Sequence, residues 1–127
     1  MTIYIATLLI MAGIDSIWLM VIAKKFYQSK LGYIFAEKPN LTPAIIFYLL
    51  YTAGLMFFVI QPALRESWSL VRTFFTGGFL GLLAYAAYDL TNHATINNWP
   101  ASVTYVDMAW GALLSALVST IVYSIFK

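Results

Sequence analysis

Four long apolar runs alternate with short polar connections along the chain, at about residues 2–23, 43–61, 70–91 and 101–126. A helix needs about 20 apolar residues to cross a hydrocarbon layer of about 30 Å. A membrane barrel would instead require many segments of about 10 residues with alternating polarity, and these runs are continuously apolar. The pattern therefore predicts an all-α fold. We expect a single domain over residues 1–127, built as a bundle of four transmembrane helices.

The polar residues between the runs suggest where the helices begin and end. Lys24 and Lys25 follow the first run. Pro43 suits the first turn of the second helix, where its missing N–H has no partner anyway, and Thr42 is the expected N-cap. Pro62 marks the expected end of the same helix.

The first connection, from Lys24 to Leu41, is longer than a helix turn requires and has aromatic residues interleaved with lysines. Such a segment suits a position on the membrane surface, with its aromatic rings at headgroup level. A folded cap over the end of the bundle explains the pattern equally well. The sequence leaves both interpretations open.

Composition supports the membrane assignment. Apolar residues make up 62% of the chain and charged residues 9%, against roughly 45 to 50% and 25% in soluble domains. The chain has no cysteine, which excludes disulfides and thiolate chemistry. No Lys or Arg precedes the first run, so it is expected to remain as a helix rather than act as a cleavable signal.

The distribution of positive charge gives an expected orientation. One side of the membrane would carry Lys24, Lys25, Lys30 and Lys38, and the other side would carry Arg65, Arg72 and Lys127. Because positive residues favour the cytoplasmic side, the first connection is predicted to be cytoplasmic, with both termini outside. Because the numbers of positive residues on the two sides are nearly equal, insertion in both orientations is also possible.

Three acidic residues, Asp15, Asp89 and Asp107, lie within or at the edge of the apolar runs. A charged Asp at the centre of a membrane helix costs about 2.5 to 3.5 kcal/mol on insertion scales, so such residues usually face the bundle interior. Asp15 is near the middle of its run and is the strongest candidate for function or for locking the bundle. Asp89 at a helix end and Asp107 near a helix start also have purely structural explanations.

Helical spacing places small and polar residues on shared faces. One face of the third helix carries Gly77, Gly81, Tyr85, Asp89 and His93, and the fourth helix repeats the arrangement with Asp107, Gly111, Ser115 and Ser119. Such small-residue faces allow close helix packing, so the third helix is expected to be the most closely packed. The three carboxylates are expected to converge in one half of the bundle. His93 is interpreted as a residue of the third connection.

An indole follows an acid by three residues in two places, at Asp15 with Trp18 and at Asp107 with Trp110. A Trp N–H can donate to a carboxylate and its ring can wall off a pocket, although chance also accounts for two such pairs. The candidate ligand or ion site therefore comprises Asp15, Trp18, Tyr85, Tyr88, Asp89, Asn92, Asp107 and Trp110.

Several motifs resemble a known family. The chain carries Phe47-Tyr48-Leu-Leu-Tyr51, Gln61-Pro62-Ala63, Tyr85-Ala-Ala-Tyr88-Asp89-Leu-Thr-Asn92, Trp99-Pro100 and Asp107-Met-Ala-Trp110-Gly111. This pattern is similar to domain-of-unknown-function family 2177, small bacterial membrane proteins, over most of the chain. The resemblance implies a multi-pass protein of the bacterial cytoplasmic membrane and supplies no activity.

Known catalytic arrangements are missing from the sequence, so an enzyme is not the favoured interpretation. There is no Gly-rich phosphate loop, and a single histidine cannot form a histidine metal cluster. No catalytic residue, metal site or cofactor is assigned. The expected partners are membrane lipid, a small-molecule or ion ligand and further copies of the chain, and nucleic acid is not expected.

Three classes of function remain open. The first is a carrier whose intramembrane acid alternates between protonated and ionised forms. The second is a protein that binds or modifies a lipid or small molecule in an aromatic, carboxylate-lined pocket. The third is an assembly or accessory protein whose buried acids specify helix pairing. The sequence favours binding or transport at a carboxylate-lined intramembrane site.

Overall fold

The computed structural model describes residues 1–34 and 40–127. Over these residues the chain forms four helices that are long and apolar enough to cross a membrane: α1 (Thr2–Leu31), α2 (Leu41–Glu66), α3 (Leu70–Thr95) and α4 (Ala101–Phe126). The predicted all-α fold with four spanning helices is confirmed.

The helices are longer than the apolar runs. α1 continues through Lys24 and Lys25 to Leu31, which makes it about 45 Å long at 1.5 Å per residue and longer than the hydrocarbon core. α2 begins at Leu41, and the Asn40 side chain accepts a hydrogen bond from the Thr42 backbone N–H at 3.1 Å. The predicted N-cap was therefore wrong, because Asn40 takes the role assigned to Thr42.

Each of the first two helices contains a π-helical turn. The turn in α1 covers Trp18–Ala23, and the turn in α2 covers Met56–Ile60. Pro62 follows the second turn, and a proline in a regular α-helix clashes with the carbonyl four residues earlier. A wider turn at that point allows the helix to continue. This explains why α2 runs on to Glu66 and does not end near Gln61.

The segment after Lys25 packs against the far end of the bundle. Leu31 forms a small buried cluster with Trp99 and Val103, against which Phe26 and Tyr27 pack. The Tyr33 hydroxyl donates to the Asn98 carbonyl oxygen at 3.0 Å. These contacts favour the cap interpretation for the described part of the first connection. Phe35 and Lys38, on which the surface interpretation also depended, lie outside the described residues.

α3 and α4 form the most extensive helix contact in the described structure. A Cβ atom added at Gly77 would lie 2.8 Å from the Ser119 Cβ and 2.9 Å from the Ser115 carbonyl oxygen. A Cβ atom at Gly81 would overlap the Gly111 carbonyl oxygen and the Ser115 side chain. The two predicted small-residue faces therefore meet each other, and no larger side chain fits between them.

α4 is the most buried helix, although the sequence pattern favoured α3. Within the most apolar part of each helix, 44% of the α4 residues are buried against 17% in α3. The main buried cluster joins α1, α2 and α4 through Met11, Tyr51, Leu55, Ile60, Leu114, Val118 and Val122. α4 therefore lies at the centre of the bundle, with α3 against one side and α1 and α2 against another.

The α3–α4 contact generates a stability prediction. Gly81→Ala should destabilise the bundle by about 1–3 kcal/mol, because the added methyl group forces two helix backbones apart. Gly54→Ala is the matched control, since a Cβ atom there meets nothing within 4 Å. Removing a glycine from a helix interior should leave that variant equally stable or slightly more stable. Unfolding in detergent measures both, and equal stability of the two variants would show that the helices do not touch at Gly81.

Candidate functional site

Asp15 lies in the middle of α1 and is 7% exposed. The Tyr48 hydroxyl of α2 donates to one of its carboxylate oxygens. The Trp110 indole N–H of α4 donates to the other oxygen at 2.8 Å. One carboxylate thus joins three helices through two neutral donors. A buried acid needs such bonds, because leaving its oxygens without donors in an apolar interior would be costly.

The two tryptophans of the acid–indole pairs lie against each other. The Trp18 and Trp110 rings stack with centroids 4.5 Å apart and an angle of 8° between their planes. Trp110 binds Asp15 and not Asp107, the acid that precedes it in sequence. Trp18 supplies the stacking partner that holds the Trp110 ring in place. The sequence spacing therefore identified the correct residue types, an acid and an indole. The observed hydrogen bond pairs Trp110 with Asp15 of another helix.

Asp89 and Asp107 form a second group, separate from Asp15. Asp89 in α3 is completely buried, and neither of its carboxylate oxygens has a donor among the described residues. The Asp107 carboxyl group of α4 lies close to it. Two carboxylates can form a hydrogen bond with each other only when one of them carries a proton.

Tyr27 of α1 contacts this acid pair from a third helix. Its hydroxyl donates to an Asp107 carboxylate oxygen at 2.8 Å. Tyr27 lies in the part of α1 that extends beyond Lys25, so the helical cap positions it over the start of α4. Asp107 is half-buried and has a donor, whereas Asp89 is fully buried and depends on Asp107.

A cleft of about 550 Å³ separates the first half of α2 from α3 and α4. Its lining consists of Pro43, Ala44, Phe47, Ala84, Tyr85, Tyr88 and Asp107. α2 contacts α3 mainly through its π-helical turn, and its earlier part packs against α1, so the two helices diverge toward this end. Phe47 and Tyr88 are 43% and 60% exposed, which places the edges of the cleft on the outer surface of the bundle. In a membrane that surface faces lipid.

Aromatic rings form the inner wall of the cleft. Tyr85 stands nearly perpendicular to Phe47, with ring centroids 6.5 Å apart, and to Tyr51 at 6.4 Å. Gly111 allows this position, because a Cβ atom there would overlap the Tyr85 ring. Tyr51 is fixed in turn by a hydrogen bond of 2.5 Å with the Ser115 hydroxyl. Tyr85 lies close to a carboxylate of each acid group, Asp15 and Asp107.

The remaining polar residues lie around the end of α3. The Tyr88 ring packs edge-on against Trp99 at 6.3 Å, and Asn92 lies near the Tyr88 hydroxyl. His93 belongs to α3 and not to the connection that the sequence suggested. Trp99 donates to the Thr104 hydroxyl at 3.0 Å, and that hydroxyl shares a hydrogen bond of 3.1 Å with His93 Nδ1.

The structure thus divides the predicted site residues into two groups. Asp15, Trp18 and Trp110 form one, while Tyr85, Tyr88, Asp89, Asn92 and Asp107 lie at or beside the cleft. Within residues 1–34 and 40–127, no three His, Cys, Asp or Glu side chains are grouped so that they could hold a metal ion. Within the described residues no hydrogen bond links Asp15 to Asp89 or Asp107, although Tyr85 lies close to both Asp15 and Asp107.

Sequence reasoning missed three side chains of the two groups. Tyr27 and Tyr48 donate to the acids, and Phe47 forms a wall of the cleft. The apolar run of α2 contains no charge to draw attention to Phe47 or Tyr48. A general expectation that each intramembrane acid requires a hydroxyl or indole donor would have directed attention to the tyrosines.

A family comparison agrees with this architecture. The model of a family described as predicted membrane protein (DUF2177) matches residues 1–124. The chain is a member of this family of predicted membrane proteins. No curated protein and no solved structure shows significant similarity to the chain.

The Asp15 contacts generate a second prediction. Tyr48→Phe should destabilise the bundle by about 1–3 kcal/mol, because a buried carboxylate oxygen loses its donor. Tyr105→Phe is the matched control, since Tyr105 is exposed and makes no hydrogen bond to the described residues, and its effect should stay within about 0.5 kcal/mol. Asp15→Asn should be tolerated better than Tyr48→Phe, because the amide can accept from Trp110 and donate to Tyr48. Identical unfolding curves for the two Tyr→Phe variants would contradict the assignment.

Proposed function

We propose that this membrane protein binds an amphiphilic molecule, a lipid or a small apolar compound with a polar group, in the cleft between α2 and the α3–α4 pair. The observation that carries the proposal is the lining of the cleft. Among the described residues, aromatic and aliphatic side chains cover its walls and one carboxylate, that of Asp107, lies among them. Ligand sites commonly have about 300–1,000 Å³, apolar walls and few polar groups.

The position of the cleft supports a ligand that arrives through the membrane. Its edges, Phe47 and Tyr88, belong to the exposed surface of the bundle, which acyl chains would cover. Asp107 lies in the second turn of α4, near the N-terminal end of the helix and hence toward the headgroup region. An amphiphile can therefore place its apolar part against the rings and its polar part at the carboxylate.

The arrangement supports binding in preference to catalysis. The polar groups of the described lining residues are two phenols and one carboxylate, and none of these residues is a nucleophile paired with a base. His93, the single imidazole of the chain, is engaged by Thr104 outside this lining.

Asp15 is assigned a structural role within this proposal. Both of its oxygens have donors from other helices, and it is not part of the cleft lining. It fixes α2 against α1 and α4 at the point from which the first half of α2 diverges from α3. The alternative of an acid that locks helix pairing therefore applies to Asp15, and ligand binding is assigned to Asp107.

A bulky side chain at the mouth of the cleft tests the proposal. Ala44 lines the cleft and is exposed, so Ala44→Phe should fill the space without disturbing the buried core. Native mass spectrometry of protein released from bilayers of defined phospholipids should show a retained lipid on the wild type and a loss of about tenfold or more in occupancy on Ala44→Phe.

Ala53→Phe is the matched control, because Ala53 is also exposed on α2 but does not line the cleft. It should retain lipid as the wild type does, and both variants should unfold at the same denaturant concentration as the wild type. Equal lipid retention in Ala44→Phe and Ala53→Phe would exclude the cleft as the binding site.

A further inference from the structure

We infer that the cleft takes an organic cation, an ammonium group with an apolar body, and that the Asp89–Asp107 pair exchanges one proton for it. This inference rests on the proposed binding at the cleft and names the chemical class of the ligand. Three independent features of the described structure carry it: the aromatic walls, the carboxylate in the lining and the unpartnered acid behind that carboxylate.

The walls suit a cation. Tyr85 and Phe47 both line the cleft and stand nearly perpendicular to each other, at 79°, and Tyr88 completes the aromatic lining. Ring faces attract ammonium groups, and recognition of quaternary ammonium by several aromatic rings is a common use of this interaction. An anionic or strongly hydrated polar group would gain nothing from these walls.

The charge in the lining has the complementary sign. Asp107 is the charged residue of the lining, and its bond from Tyr27 occupies one of its two oxygens. A carboxylate in an apolar cleft attracts a cation far more strongly than it would in water, because the surroundings screen the charge less.

Among the described residues, Asp89 is the buried acid whose carboxylate oxygens receive no hydrogen bond. It is completely buried, neither oxygen has a donor among the described residues, and it faces Asp107. Two adjacent carboxylates in an apolar interior repel each other, so a single proton held between them is the stable empty state. A cation beside Asp107 replaces the charge of that proton, and the proton leaves to the solvent.

The other titratable groups of the described structure that act on the pair are phenols. Tyr27 of α1 and Tyr88 of α3 act on Asp89 and Asp107, and Tyr85 acts on Asp107. Tyr48 and Tyr51 of α2 face Tyr85. Among the described residues, the charged neighbour that acts on Asp89 is Asp107. The pair is therefore the group whose proton should follow the ligand.

The test uses the whole protein in lipid nanodiscs, with benzyltrimethylammonium as the cationic probe and its uncharged carbon isostere neopentylbenzene as the comparison. Calorimetric titration in two buffers of different ionisation enthalpy reports the protons released on binding. We expect benzyltrimethylammonium to bind the wild type and to release about one proton for each cation bound. Neopentylbenzene should compete for the same cleft without releasing a proton.

Two acid variants test cation binding and proton release separately. Asp107→Asn should weaken binding of the cation by about tenfold or more, because the charge of the lining is lost. Asp89→Asn should abolish proton release and raise cation affinity at acidic pH, since the amide N–H donates to Asp107 and leaves it ionised. Glu66→Gln is the control, because Glu66 is an exposed acid at the other end of α2, and it should behave as the wild type.

The lipid of the nanodisc distinguishes the source of the cation. Phosphatidylcholine carries a trimethylammonium group and phosphatidylglycerol carries none, so weaker probe binding in phosphatidylcholine identifies a lipid headgroup as a natural occupant. Equal probe affinity in both lipids, after correction with empty nanodiscs, identifies a free organic cation. Equal affinity of the wild type for the two probes, or binding of the cation with no proton released, would overturn the inference. Either result would still leave the lipid-retention test of the cleft itself intact.

Discussion

The close approach of α3 and α4 is the constraint on which the rest of the structure depends. Glycines at 77 and 81 let the α3 backbone touch Ser115 and Ser119 of α4, and Gly111 makes room for the Tyr85 ring one turn further along. This contact fixes the rotation of both helices about their axes. As a consequence Asp89 must face Asp107, and Tyr85 must stand in the space between the α3–α4 pair and α2.

α2 diverges from that pair because two different interactions hold its two ends. Its π-helical turn packs on α3 and α4, while Tyr48 binds Asp15 in α1. The cleft is the space left between these attachments. Membrane helices gain little from burying apolar side chains, because lipid is equally apolar, so a few hydrogen bonds and close contacts determine where helices meet and where they separate.

Much of the fold was predictable from sequence, since continuous apolar runs dictate helices in a membrane. The inward position of Asp15 and Asp89 followed from the cost of exposing a carboxylate to lipid. The helix ends were not predictable to the same degree. Lys24 and Lys25 end the apolar run in the sequence, but lysine is a good helix former and lets α1 continue into the cap. The π-helical turns, which carry α2 past Pro62, have no simple sequence signature.

The pairing of side chains between helices was the part that local patterns could not supply. Spacing along one helix identifies residues on a common face, and this correctly grouped Gly77, Gly81, Tyr85 and Asp89. It cannot show which residue of another helix lies opposite, so Trp110 was matched to its neighbour Asp107 when its bond goes to Asp15. The donors Tyr27 and Tyr48 likewise come from other helices. The division into Asp15, which locks three helices together, and Asp107, which lines the cleft with Asp89 buried beside it, emerges only from tertiary structure.

The central claim is that Asp89 and Asp107 share a proton that a bound cation displaces. Infrared difference spectroscopy of protein labelled with carbon-13 aspartate measures this directly, because a protonated carboxyl group and a carboxylate absorb at different frequencies. Adding benzyltrimethylammonium should remove a protonated-carboxyl band and produce a carboxylate band in the wild type, and Asp89→Asn should show neither change. An unchanged aspartate spectrum in wild-type protein that has bound the cation would contradict the account.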